Sequence, residues 1–174
     1  MRSGEYKFRR GVSVGRVIVL LGKGQRINRR ITIAEGLTVS QIIKILEATD
    51  GLEGVPFPVP DEGTMLPETY YYTFGETRQT IVDQMVLQMQ LTIDALWAKR
   101  ASNLPIKSKK EALILASIVE KETGLAKERH RVAGVFINRL NKGMKLESDP
   151  TVVFSITDGK RKLGRGLRKS ELRK

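Results

Sequence analysis

The 174-residue chain contains no cysteine. That excludes disulfides, thiol nucleophiles, zinc–thiolate sites and iron–sulfur clusters, and it leaves the compartment open, since an exported domain can do without disulfides. Histidine occurs once, at His130. A multi-histidine metal site is therefore impossible, and a Ser-His-Asp triad could run only through that residue. His130 lies in the run Lys127-Glu128-Arg129-His130-Arg131, which reads as a solvated helix face. No stretch approaches the ~20 apolar residues of a membrane span; "VGRVIVLLG" is short, and Arg16 interrupts it. A signal-peptide pattern is missing as well, so nothing in the chain marks export directly.

With 40% hydrophobic residues and only six prolines, the chain can build a core, as one ordinary domain or two small ones. Charge is lopsided: the net value is +12 and the pI about 10.1. Such a balance favours an anionic partner, whether nucleic acid, a membrane surface or an acidic polymer. The positive residues concentrate between Arg2 and Arg30 and between Lys160 and Lys174. Met1 opens almost directly on a strand and "KSELRK" closes nothing, so a fragment of a longer protein is expected.

The first half holds a repeat. "YKFRRGVSVGRVIVLLGKG" superimposes on "ITIAEGLTVSQIIKILEAT" at an offset of 25 residues, matching Gly11 with Gly36, Ser13 with Thr38, Val14 with Val39 and Leu21 with Leu46. Each copy reads as a strand, a glycine turn, a hydroxyl cap and an amphipathic helix. Thr38 and Gln41 have capping-box spacing. From Asp50 to Thr77 glycine and proline are dense, which predicts irregular structure. Within it, Tyr70-Tyr71-Tyr72 is either a stacking surface or a short strand.

Three helices follow by period: Gln79 to Arg100, Lys109 to Thr123 capped by Ser108 and closed by Gly124, and Ala126 to Lys142 closed by Gly143. "MKLESDPTVVFSI" reads as a strand interrupted at Asp149-Pro150, and the basic tail begins as a loop.

The helix from Lys109 ends in two glutamates. At 100° per residue, Leu115, Ile118, Val119 and Glu122 share one stripe, whereas Glu120 falls nearly opposite, beside Leu113, Ala116 and Ser117. A carboxyl set among aliphatic side chains has its ionised form disfavoured, which suits an acid that must protonate a leaving glycosidic oxygen. The bland alternative is a solvated helix-end charge paired with Lys121, Lys127 or Arg129. Hydrolytic glycosidases need a second carboxylate some 5–10 Å away; Glu120, Glu128 and Asp149 are available, but none makes a convincing pair. One acid acting alone is the simpler reading.

"LASIVEKET", "ERHRVAGVFINRL" and "GMKLESDPTVVFSI", in this order, resemble the signature of the endolytic murein transglycosylases, the YceG-like family. "PETYYYTFGET" resembles the segment that precedes the family's catalytic part, and "ITIAEGLTVSQIIKIL" its LysM-like unit. The resemblance implies an α+β fold: a small LysM-like strand–helix subdomain over residues 1–60, then a mainly helical catalytic subdomain with a short β element over 61–174.

It further implies a lyase that cleaves nascent peptidoglycan strands internally, between N-acetylmuramic acid and N-acetylglucosamine, leaving 1,6-anhydro ends without cofactor or metal. The family's catalytic glutamate falls on Glu122. Glu120, Glu128, Asn138, Asp149, Thr151 and Tyr71 become candidate substrate-binding residues, Asn138 equally a buried polar tie. Implied partners are glycan strands, cell-wall synthases and the bacterial inner membrane, spanned once by an N-terminal helix that this sequence does not include, with the catalytic part on the outer side. The family's closing segment beyond Lys174 is not included either. Two other readings compete: a glycan-binding module without turnover, and a basic nucleic-acid-binding protein, which has no recognisable reading motif here.

Overall fold

The computed structural model describes residues 4–161 and 163–171; Arg2, Lys162, Arg173 and Lys174 of the two basic stretches lie outside them. In chain order the elements are α1 (Val14–Lys23), β1 (Arg29–Thr32), α2 (Val39–Ala48), β2 (Leu52–Glu53), β3 (Thr69–Tyr72), β4 (Glu76–Thr77), α3 (Arg78–Ala98), α4 (Lys109–Glu122), a 3-10 turn (Ala126–Glu128), α5 (Arg129–Asn141) and α6 (Asp149–Thr157). The architecture is α+β, mainly helical, with two two-stranded sheets among the described residues.

The larger core surrounds the first sheet. β1 runs antiparallel to β3, with Ile31 opposite Tyr70 and Arg30 opposite Tyr71. The two-residue alternation of a strand sends Ile31, Tyr70 and Tyr72 inward and leaves Tyr71 exposed. The tyrosine cluster is thus a short strand. Tyr70 donates to Leu66 O at 2.7 Å and Tyr72 to Asp50 O at 2.9 Å, which satisfies both buried hydroxyls. Burial, with Glu68 nearby, pushes the Tyr70 hydroxyl up to about 12.

Onto this sheet α2 lays Val39, Ile42 and Leu46, and α3 lays Ile81, Val82 and Met85. Arg78, the first residue of α3, holds the far end of α2 by donating to Leu46 O, Glu47 O and Gly54 O at 2.7–2.9 Å. A helix leaves its last carbonyls unpaired, and a guanidinium fork is well shaped to collect them. Beyond Met85 the same helix exposes Leu87, Leu91 and Leu96.

A smaller core lies between α4 and α5. Ile118, Val119 and Phe136 are buried, with Leu115, Val132, Ala133 and Leu146 packed against them. α5 closes at Gly143 (φ 65), whose left-handed backbone lets Met144 N–H reach back to Arg139 O at 2.9 Å.

Three local expectations are corrected. The predicted strand across Asp149-Pro150 is helix α6: Asp149 and Pro150 open its first turn, where an acid suits the dipole and proline's missing N–H would be unpaired anyway. Gly124 does not end α4; Thr123 does so by turning extended at φ −142. In the first copy of the repeat the glycine turn, cap and helix are present, but residues 6–9 form no strand.

Candidate active site

The stripe read from the helical period is real. Ile118 and Val119 are buried and Leu115 packs against them, and Glu122, the last residue of α4, continues their line. The aliphatic enclosure expected around Glu122 is not there: its side chain is exposed. The cause is local. α4 stops at that residue and the chain turns away through buried Thr123, so no further helical turn covers the carboxyl.

What reaches Glu122 comes from elsewhere. Ser148, immediately before α6, donates from Oγ to Glu122 Oε1 at 2.5 Å. Ser148 is the N-cap residue of α6, so the positive end of that helix dipole lies beside the carboxylate. This offsets the unfavourable placement of an acid at the C-terminal end of α4, where the dipole costs ~0.3–1 kcal/mol.

The other acids are each held differently. Glu120, on the far side of α4, forms an ion pair with Arg129 at 2.9 Å. Glu128 accepts from Thr123 Oγ1 at 3.2 Å, which fastens the 3-10 turn to the end of α4. Among the described residues no ion pair holds Glu122, whose polar contact is the neutral Ser148 hydroxyl. Asp149 and Thr151 are exposed in the first turn of α6, and Thr151 Oγ1 donates to Ser148 O at 2.6 Å.

The N-terminal half also touches α4. A Cβ on Gly36 (φ 72) would lie 3.3 Å from Lys121 Nζ and 3.7 Å from Glu120 Cγ. The glycine turn before α2 therefore sits directly against the helix that carries the acids.

Of the sequence-predicted site residues, Glu122, Asp149 and Thr151 meet around Ser148, with Glu120 and Glu128 tied to the same helix end. Asn138 is exposed on α5, not a buried tie, and Tyr71 stands on β3 opposite Arg30; neither shares a hydrogen bond with this cluster among the described residues. Sequence reasoning missed Ser148, and it offered Arg129 as a partner for Glu122 where the structure pairs it with Glu120. A hydroxyl directly before Asp-Pro is a helix-start signal, and reading that segment as a strand concealed it. A cavity of about 290 Å³ lined by Arg26, Thr73, Phe74, Gly75 and Glu76 contains none of these residues. Among the described residues, no helix is long and apolar enough to cross a membrane.

Comparison with known proteins gives the family. The model of the YceG-like family matches residues 1–174. The chain belongs to that family. It is 33% identical over 95 residues to an endolytic murein transglycosylase of Streptococcus pneumoniae (strain D39 / NCTC 7466), covering 54% of this chain and 17% of that protein. It is 34% identical over 97 residues to the endolytic murein transglycosylase of Bacillus subtilis (strain 168), covering 55% of this chain and 26% of that protein. The matched segments are thus about a quarter or less of those relatives' length. A crystal structure of a yceG-like protein from Listeria monocytogenes shares the fold with a TM-score of 0.57 at 22% identity, over 92% of this chain and 62% of that one.

Proposed function

We propose that the chain carries the catalytic acid of an endolytic murein lytic transglycosylase, and that the acid is Glu122. The relatives' names supply the reaction class. The observation that supports Glu122 is its contact set: exposed, unpaired with any cation among the described residues, and hydrogen-bonded to a neutral hydroxyl. Glu120, by contrast, is already engaged by the Arg129 guanidinium at 2.9 Å. A serine hydroxyl tolerates both protonation states.

In this reading Glu122 gives its proton to the glycosidic oxygen as the bond to muramic acid C1 breaks, releasing the N-acetylglucosamine end as a free hydroxyl. The carboxylate then takes the proton of the muramic acid 6-hydroxyl as O6 bonds to C1. A 1,6-anhydro ring results, no water is consumed, and Glu122 returns protonated. One carboxyl suffices, which fits the lack of a convincing second one.

The remaining assignments stand as parts of the same proposal. Residues 1–60 form a LysM-like unit that meets glycan and 61–174 the catalytic part, although Met65, Tyr70, Tyr72, Ile81, Val82 and Met85 complete the first core from beyond residue 60. Glu120, Glu128, Asp149 and Thr151 line the approach to Glu122, and Tyr71 and Asn138 contact the strand further out. The working protein faces glycan at the outer side of the inner membrane, anchored there and working with the synthases.

The test is Glu122→Gln with un-crosslinked glycan strands as substrate and anhydro-ended products counted by mass. The expected loss is at least about 100-fold with the melting curve unchanged. Wild-type activity in that variant would overturn the reading. Murein binding with no turnover by the unaltered chain would favour a glycan-binding module.

A further inference from the structure

We infer that Ser148 is a positioning residue for the Glu122 carboxyl and that it divides the labour between the two carboxyl oxygens. The inference rests on the reading of Glu122 as acid and then base. Ser148 engages Oε1, so the proton given to and recovered from the substrate travels on Oε2.

Four observations carry it. Ser148 is 3% exposed, whereas its neighbours Glu147 and Asp149 are both exposed, so its hydroxyl is turned into the protein where their side chains face solvent. It occupies the N-cap of α6, where serine is favoured because its oxygen can accept a backbone N–H, yet that oxygen makes no capping bond. Thr151 instead turns both its N–H (3.1 Å) and its hydroxyl (2.6 Å) onto the Ser148 carbonyl. The hydroxyl that should serve its own helix is aimed across at α4.

The fourth is the support behind it. Arg139 on α5 donates to Lys145 O at 3.1 Å, Leu146 O at 2.9 Å and the Glu147 carboxylate at 2.9 Å. Glu147 adopts a left-handed backbone (φ 54), a conformation unusual for a residue with a side chain. One guanidinium thus holds three consecutive residues in a turn that delivers Ser148 to Glu122. Sites that act through geometry need such backing.

The hydroxyl also fits the proton cycle. With Glu122 ionised, Ser148 donates to Oε1. With Glu122 protonated on Oε2, Ser148 donates to the same carbonyl-like oxygen and leaves the acid O–H facing outward. Charged groups around the pair do not replace this role. Glu120 is taken by Arg129 and Glu147 by Arg139, Glu128 is held by Thr123, and Lys121 and Asp149 are exposed.

The experiment compares wild type, Glu122→Gln, Ser148→Ala and Ser148→Thr in the full chain. For Ser148→Ala, kcat on un-crosslinked glycan strands should fall roughly 10- to 100-fold with KM within about twofold and the melting midpoint within about 3 °C. Ser148→Thr, which keeps the donor, should recover most of kcat. Wild-type kcat in Ser148→Ala, with Glu122→Gln dead, overturns the positioning role and leaves the glutamate reading intact. An active Glu122→Gln overturns both. Equal loss in the Ala and Thr variants with a large melting shift assigns Ser148 a structural role and overturns the inference. A readout independent of turnover is the ¹³C resonance of the Glu122 carboxyl: it should move in Ser148→Ala and return in Ser148→Thr, and an unmoved resonance overturns the hydrogen bond itself.

Discussion

α1 and α2 are each ten residues long, and each follows a glycine of positive φ and a hydroxyl N-cap: Gly11 and Ser13 for α1, Gly36 and Thr38 for α2. The three buried positions of α2 all have apolar counterparts in α1. Val39, Ile42 and Leu46 on α2 are buried beneath β3 and α3, yet of their counterparts Val14 is 76% exposed and Val17 and Leu21 only half-buried. The same local pattern yields the same helix in both places. What differs is the neighbour: β1 finds β3 as a partner strand, and residues 6–9 find none among the described residues. Period and caps specify an element, and tertiary contact specifies what its apolar face is worth.

The largest effect that sharpens this contrast is a pair of truncations. Leu46→Ala removes a side chain with no exposed surface and should cost about 3–4 kcal/mol in urea unfolding. Leu21→Ala, at the matching position of α1, should cost about 1 kcal/mol or less. Equal costs would show that α1 is as well covered as α2 and would erase the distinction.

The caps differ more subtly. Thr38 accepts from Gln41 N–H while Gln41 Oε1 accepts from Thr38 N–H at 2.9 Å, a full capping box. The residue matching Gln41 in the first copy is Arg16, which cannot return the bond, so Ser13 accepts alone at 3.4 Å. Thr38→Ala should therefore cost about 1–2 kcal/mol and Ser13→Ala about 0.5 kcal/mol, read from melting midpoints. A larger loss at Ser13 would mean that α1 bears more of the fold than its exposure indicates.

Legibility followed the same line between local and distant. The three helices α3, α4 and α5, the caps at Ser108 and Thr38 and the aliphatic stripe leading to Glu122 all depend on residues three to seven positions apart, and the period reveals them. The partner of Glu122 is Ser148, 26 positions away, and the partner of Glu120 is Arg129, nine positions away across a turn. No local pattern encodes such pairings. The exposure of Glu122 escaped for a related reason. A helical wheel assigns a residue to a face but does not say whether another element covers the last turn of that face. The segment expected as a strand at Asp149 is a helix because Ser148, Asp149 and Pro150 form a start signal that outweighs the β-branched Val152 and Val153 after it.

The smallest effect concerns an anion at the N-terminus of α2 that has no counterpart on α1 among the described residues. Glu62 turns both carboxylate oxygens onto Val39 N–H, at 3.0 and 3.1 Å, at the N-terminus of α2. Two influences oppose each other there. Burial of the carboxylate end against Gly159, reinforced by the negative Asp158, raises the pKa of Glu62, and the Val39 N–H works to lower it; burial wins. A carboxyl with a raised folded pKa contributes stability that is full below the unfolded value of 4.5 and is lost as pH rises through the folded value. Glu62→Gln keeps an acceptor for Val39 and removes the titration. Its urea midpoint, relative to wild type, should therefore climb between pH 4 and pH 7. The climb should be small, because Glu62 remains more than a third exposed and solvent screens it. A relative midpoint that fell over this range would mean that the helix dipole and the Val39 bond outweigh burial, and that the anion itself stabilises α2. Ser13→Ala on α1, measured alongside, should show no pH trend, since its cap is a neutral hydroxyl.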